Sequence, residues 1–224
     1  MCIRDRGPID DEDGPEGLLN AWPMDEAYID YVEGNATSGL VNNSTDFPEI
    51  TAELIEGLNE KDGEANISCG YHAIEFLLWG QDFAAAGPGE RAYTDYTTGD
   101  NADRRGDYLR AVTNLVVAKL EGLVAEWMPE EENYRAEFLE LPSGEALKKI
   151  MTGMSMLSGF EMAAERLNVA YDTKAQEDEH SCFSDTTHND MVYDLVGIHN
   201  VWTGSYKELS GPGLQVLAQG LKPE

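Results

Sequence analysis

The chain has 224 residues, 42% of them apolar, with 43 acidic residues against 15 basic ones for a formal net charge of −28. The length is ample for one large domain or two small ones, and the charge excludes a nucleic-acid binder because phosphate backbones would be repelled. No run of about eighteen apolar residues exists to span a membrane, and three widely spaced cysteines (Cys2, Cys69, Cys182) form neither a disulfide framework nor a CxxC knuckle. One bridge, Cys69–Cys182, is open to the chain, but spacing does not decide it.

The opening "MCIRDR", residues 1–6, is basic and lacks an apolar core, so it is no signal peptide and reads as a non-native start to a fragment. A Gly/Pro/Asp-rich loop follows to Pro23. "PMDEAYIDYVEG" reads as a short helix, with Asp25 and Glu26 at its positive end and Gly34 as its stop. Residues 35–46 are loop-like, and "FPEITAELIEGLN" is a second helix with Ile50, Leu54 and Leu58 on one stripe. Residues 66–79 are expected as a strongly apolar helix, with Ile67, Tyr71, Ile74 and Leu78 sharing a face; a helix apolar almost all round is buried. After a long loop, "RGDYLRAVTNLVVAKLEGLVAEW" is a long helix with Leu109, Val112, Val116, Leu120, Leu123 and Trp127 inward, ended by Pro129. A short helix fits 131–140. "SGEALKKIMTGMSMLSGFEMAAERLNVAYD" is a second long helix with Ser143 as its cap. Its Gly153, Ser155, Ser158 and Gly159 permit close backbone approach. "DMVYDLVGIHNVWTGSY" and "GPGLQVLAQGLKPE" complete the helices. No strand alternation is seen, so the fold class is all-α, built from packed long helices.

Three groups of residues bear chemistry. His72 and Glu75 are three apart, hence on one helix face with Cβ atoms about 5–6 Å apart. An imidazole and a carboxylate so placed can share one cation, or can satisfy each other as a buried polar pair. Gly70 before them allows a ligand or another chain segment to come close. The segment "EDEHSCFSDTTH" gathers Glu177, Asp178, Glu179, His180, Asp185 and His188, an oxygen-rich set with imidazoles that suits iron, manganese or zinc. The same segment also reads as an acidic surface loop with Ser184 or Asp185 capping the next helix. Glu161 and Glu165 are four apart and repel unless a cation or an arginine sits between them, while Arg166 is read as pairing with a carboxylate elsewhere in the core; the plainer reading is a partly exposed face with a salt bridge. His199 reads as a hydrogen-bonded core residue. HExxH is absent, and in "HAIEF" Phe76 stands where an inverted zinc-protease motif needs its second histidine.

"GYHAIEFLLWG" resembles the GxHxxE signature of the imelysin family. "GPIDDEDGPEGLLNAWPMDEAYIDYV", "GPGERAYTDY", "EALKKIMTGMSMLSGFEMAAERL" and "QEDEHSCFSDTTHND" are similar to its iron-regulated, IrpA-like branch. The resemblance covers residues 7–224 and implies two helical-bundle subdomains, truncated at both ends: 7–140 with the motif, and 141–224. It implies Gly70, His72 and Glu75 as signature residues. It further implies an exported protein, periplasmic or at the cell surface and often a lipoprotein, working with other components of iron uptake. On this reading the cofactor or cargo is a metal ion, iron with zinc as the alternative. His72 and Glu75 would be completed by Glu161, Glu165, Glu179, His180, Asp185 or His188. The competing expectations are a metallopeptidase using His72 and Glu75, and a non-catalytic interaction module.

Overall fold

In the computed structural model, residues 7–11 and 14–221 are described; the opening 1–6 lies outside them. The chain divides into two compact units, Met1–Ala146 with Phe183–Asp185, and Leu147–Cys182 with Thr186–Glu224. The described residues are all-α apart from one two-residue ribbon, β1 (Ser205–Tyr206) antiparallel to β2 (Leu209–Ser210). None of their helices is long and apolar enough to cross a membrane.

In the first unit, three single turns, α1 (Glu16–Leu19), α2 (Glu26–Ile29) and α3 (Gly39–Asn42), precede α4 (Ala52–Leu58), α5 (Gly70–Trp79), the long α6 (Ala102–Glu126) and α7 (Tyr134–Glu140). α6 is the spine, and α1, α3, α4 and α5 pack on it. Its inner face is Arg105, Tyr108, Val112, Leu115 and Val116. Val112 and Val116 were expected there, but Leu120 and Trp127 are exposed. Asn133 ends α6 by donating to the Ala125 and Met128 carbonyls, and its side-chain oxygen opens α7 by accepting from Ala136 N–H.

Helix α4 begins only at Ala52, where the Thr51 side chain accepts from Leu54 N–H, and α7 only at Tyr134; α2 and α5 are also shorter than expected, each for a local reason. α2 has its cap, Asp25 accepting from Ala27 N–H, but it stops at Ile29 because Asp30 adopts an extended backbone and turns its carboxylate inward. α5 does not begin at residue 66. The Asn59 side chain accepts from the N–H groups of Ser68 and Cys69, which holds that stretch extended up to Gly70. The buried face of α5 is His72, Ala73, Glu75, Phe76 and Leu77, while Tyr71 and Leu78, expected inside, are exposed. Cys69 and Cys182, both buried, form no disulfide with each other, so that bridge is absent.

Helix α8 (Ser143–Ser155) leads into the second unit and continues as a π-helical segment, Met156–Asn168, and α9 (Val169–Thr173). Ser143, expected as the cap, is the first residue of α8, and the Pro142 carbonyl receives the N–H groups of Glu145 and Ala146. The Ser158 hydroxyl donates to the Met154 carbonyl at 2.8 Å. α10 (Thr187–Thr203) packs on the π segment, and α11 (Leu214–Gly220) packs on α10.

Candidate functional site

The site is built from the N-terminal end of α5. Gly70 has φ of +88°, and a Cβ there would lie 2.6 Å from the Leu19 carbonyl oxygen. The motif glycine therefore serves the close approach of a chain segment, the end of α1. This junction fixes the first turn of α5, from which His72 and Glu75 point inward at 2% and 8% exposure. His72 Nδ1 lies 3.0 Å from Glu75 Oε2. A carboxylate oxygen only accepts, so Nδ1 carries the proton in this contact. The His72 ring tilts against Trp22, with centroids 4.9 Å apart.

The other oxygen of Glu75 is claimed from far along the chain. Ser184 donates to Oε1 twice, from its backbone N–H at 2.8 Å and its hydroxyl at 2.7 Å. The residues on either side are also anchored in the first unit. The Phe183 ring packs between Phe76 and Trp22, at 5.4 and 6.1 Å, and its carbonyl accepts from Gly89 N–H. Asp185 accepts from Gly87 N–H at 3.1 Å. Neither Ser184 nor Asp185 caps α10, as one sequence reading had it; Thr186 precedes that helix with no side-chain cap.

The remaining predicted ligands are dispersed. In the second unit His180 Nδ1 sits 2.9 Å from Asp190 Oδ2, which also accepts from the Ser181 hydroxyl. Glu161 pairs with Arg166 at 3.6 Å. That is a five-residue separation, the natural neighbour spacing of a π-helix, whereas the expected four-residue partner Glu165 is exposed. His188 and His199 are exposed, and Glu179 is half-buried. Burial pushes the Asp194 carboxyl up; Asp190 and Glu161 add to this, and His180 and Arg166 oppose it. Among the described residues, no three His, Cys, Asp or Glu side chains form a group able to hold a metal ion. What the structure does bring together is His72, Glu75 and Ser184.

A second polar assembly went unread in the sequence. Asp30, fully buried, accepts from Arg105 Nε at 2.6 Å and Nη2 at 3.0 Å, and from Arg91 Nη1 at 2.9 Å. Asn42 adds a further donor to Asp30, and Tyr31 and Arg91 both donate to Asp95. Arg91 Nη2 donates to the Phe76 carbonyl, and the Tyr96 hydroxyl donates to that of Leu77 at 2.5 Å. Burial pushes the Tyr96 phenol up to about 12. These groups fasten the C-terminal half of α5 as Gly70 and Asn59 fasten its start. No motif signals them, because the partners lie 61 and 75 residues apart.

No curated protein matches the chain. The model of the imelysin family, peptidase family M75, matches residues 2–224, taking in most of the opening residues set apart above. With the signature glycine, histidine and glutamate standing at the start of a buried helix in an all-α chain, the protein belongs to the imelysin family.

Proposed function

We propose that the protein is an exported cation-binding component of iron acquisition, acting in the periplasm or at the cell surface, with His72 Nδ1 and Glu75 Oε2 as its paired donors. The observation that carries this is the 3.0 Å separation of those two atoms. Two ligand atoms each about 2.1 Å from one cation and at right angles to each other are also about 3.0 Å apart, so a cation can replace the shared proton once the imidazole and the carboxylate turn their lone pairs toward it. Imidazole and carboxylate together suit iron, manganese or zinc. On binding, His72 Nδ1 gives up its proton and Glu75 keeps Oε1 on Ser184, so uptake releases a proton and weakens as pH falls. The other coordination positions go to water or to oxygen ligands that the cargo brings. The acidic surface, at a net charge of −28, raises the local cation concentration.

The test is equilibrium titration with Fe(II), Fe(III), Zn(II) and Mn(II). We expect at least one of them to bind, and His72→Ala combined with Glu75→Ala to weaken that affinity at least about 100-fold, the upper range for losing site residues. Unchanged affinity in the double variant would refute the reading and leave the pair as a structural contact. The peptidase alternative rests on the family's description. It is disfavoured by Phe76, which is fully buried in the place of a second histidine, and by the Ser184 bonds that occupy Glu75. Chelator-sensitive cleavage of an unfolded protein, lost in Glu75→Gln, would restore it.

A further inference from the structure

We infer that the tripeptide Phe183-Ser184-Asp185 is a latch that covers His72 and Glu75, whatever they bind, and that it opens while α5 stays folded. First, the tripeptide is the cover. Ser184 lies on Glu75 Oε1 through its N–H and its hydroxyl, at 2.8 and 2.7 Å. The Phe183 ring is buried against Phe76 and Trp22, and Trp22 packs on the His72 ring. His72 and Glu75 are themselves buried beneath these groups, so a solute reaches them once the cover moves.

Second, the cover and the pair are fastened by different parts of the first unit. The Asn59 side chain holds the stretch before α5, and Arg91 and Tyr96 hold the end of α5, through bonds that do not involve residues 183–185. The tripeptide is seated instead on the irregular 87–89 turn, where Gly89 N–H donates to the Phe183 carbonyl and Gly87 N–H to the Asp185 carboxylate. Gly87 stands at φ +91° with nothing within 4 Å of its Cβ position, so the seat has room to shift. Pieces held by loops open at lower free energy than helices packed in a core. Third, the tripeptide is built to move as one piece. It belongs to no helix or strand, and the chain on its two sides is tied together, Ser181 N–H donating to the Thr187 hydroxyl at 2.9 Å. Asp185 has φ +55°, a left-handed backbone that a residue other than glycine keeps while its surroundings impose it. Release lets it relax.

The experiment uses the full chain at neutral pH with two probes, both read at the peptide by mass spectrometry. Diethyl pyrocarbonate acylates His72 when the latch is open. A thiol reagent on Cys69, buried just before α5, reads the opening of the unit as a whole. Both rates are followed at rising urea below the unfolding transition, in wild type, Ser184→Ala, Ser184→Thr and Val112→Ala. We expect the His72 rate to depend weakly on urea and the Cys69 rate steeply, because a local opening exposes little new surface. Ser184→Ala, which removes a hydrogen bond to a carboxylate, should speed acylation of His72 about 10- to 100-fold. Ser184→Thr, which keeps the hydroxyl, should stay near the wild-type rate. Val112→Ala, a cavity on the fully buried face of α6, should speed labelling of Cys69 at least about tenfold and leave His72 unchanged. If Ser184→Ala does not fold, the urea profiles of wild type and Val112→Ala decide. His72 and Cys69 rates that rise together with urea and in Val112→Ala would overturn the latch, since the pair would then be uncovered by unfolding alone. An unchanged His72 rate in Ser184→Ala would also overturn it, since another segment would then be the cover.

Discussion

Gly70→Ala separates two energies that the motif glycine conceals. Its φ of +88° lies in the left-handed region, and an added Cβ would meet the Leu19 carbonyl oxygen at 2.6 Å and its carbon at 2.8 Å. The backbone term costs about 1–2 kcal/mol for an L-residue. The contact cannot be relieved by a flexible side chain, since both atoms are main chain; moving α1 away adds about 1–3 kcal/mol, as overpacking does. The sum, about 3 kcal/mol, corresponds to a fall in Tm of about 6–12 °C for a chain of this size. Gly34 is the control: its φ is +77°, but nothing lies within 4 Å of its Cβ position. Gly34→Ala should therefore lose only the backbone term, about 1–2 kcal/mol. Circular dichroism melts of both variants supply the comparison. A Gly70→Ala melt indistinguishable from that of Gly34→Ala would show that the α1–α5 approach is not tight and that the glycine has another reason.

Two further outcomes follow from buried charge. Asp30→Asn leaves Arg105, with a side chain 2% exposed, without its carboxylate and Arg91 with Asp95 alone; breaking a buried ion pair from one side costs about 3–5 kcal/mol, readable as a lowered urea midpoint. For Asp194, burial raises the folded pKa above the unfolded one. Its stabilising contribution is complete below the unfolded value and is lost as pH rises through the folded one. Asp194→Asn should therefore raise Tm at pH 7 relative to wild type, and the gain should vanish on acidifying below the ordinary carboxylate range. A pH-independent difference would contradict the assignment.

The long helices could be read from the sequence because α6 and the 143–173 run carry a sustained apolar period and clear stops. The inner face of α5 could not. Ile74, Phe76, Leu77, Leu78 and Trp79 surround the helix, so apolarity gives no direction, and the face is set by polar residues whose partners lie elsewhere. His72 and Glu75 turn inward because each is satisfied there, by the other and by Ser184. The segment 177–188 stood out by its acids and histidines, yet the residue that reaches the motif is its uncharged serine. The chain reads as ligand-rich at that point because carboxylates are conspicuous, whereas a backbone N–H and a hydroxyl leave no signature until the fold aligns them. The pairing of Glu161 depended on helix type: with α-helical spacing assumed, Glu165 was its neighbour, and the π segment gave it Arg166 instead. The Asp30 assembly was hidden in the same way, by partners contributed from α6 and the 80–92 loop.

The 109-residue interval between Glu75 and Ser184 also sets an order of events during synthesis. The helix carrying His72 and Glu75 leaves the ribosome well before the residue that secures Glu75. At about 5–20 residues per second this delay is roughly 5–20 s. Through that interval the nascent chain presents an imidazole and a carboxylate on adjacent turns with one of the carboxylate oxygens not yet claimed by its serine. His72 and Glu75 are thus made together, while the contact that secures the carboxylate waits for a residue 109 positions further on.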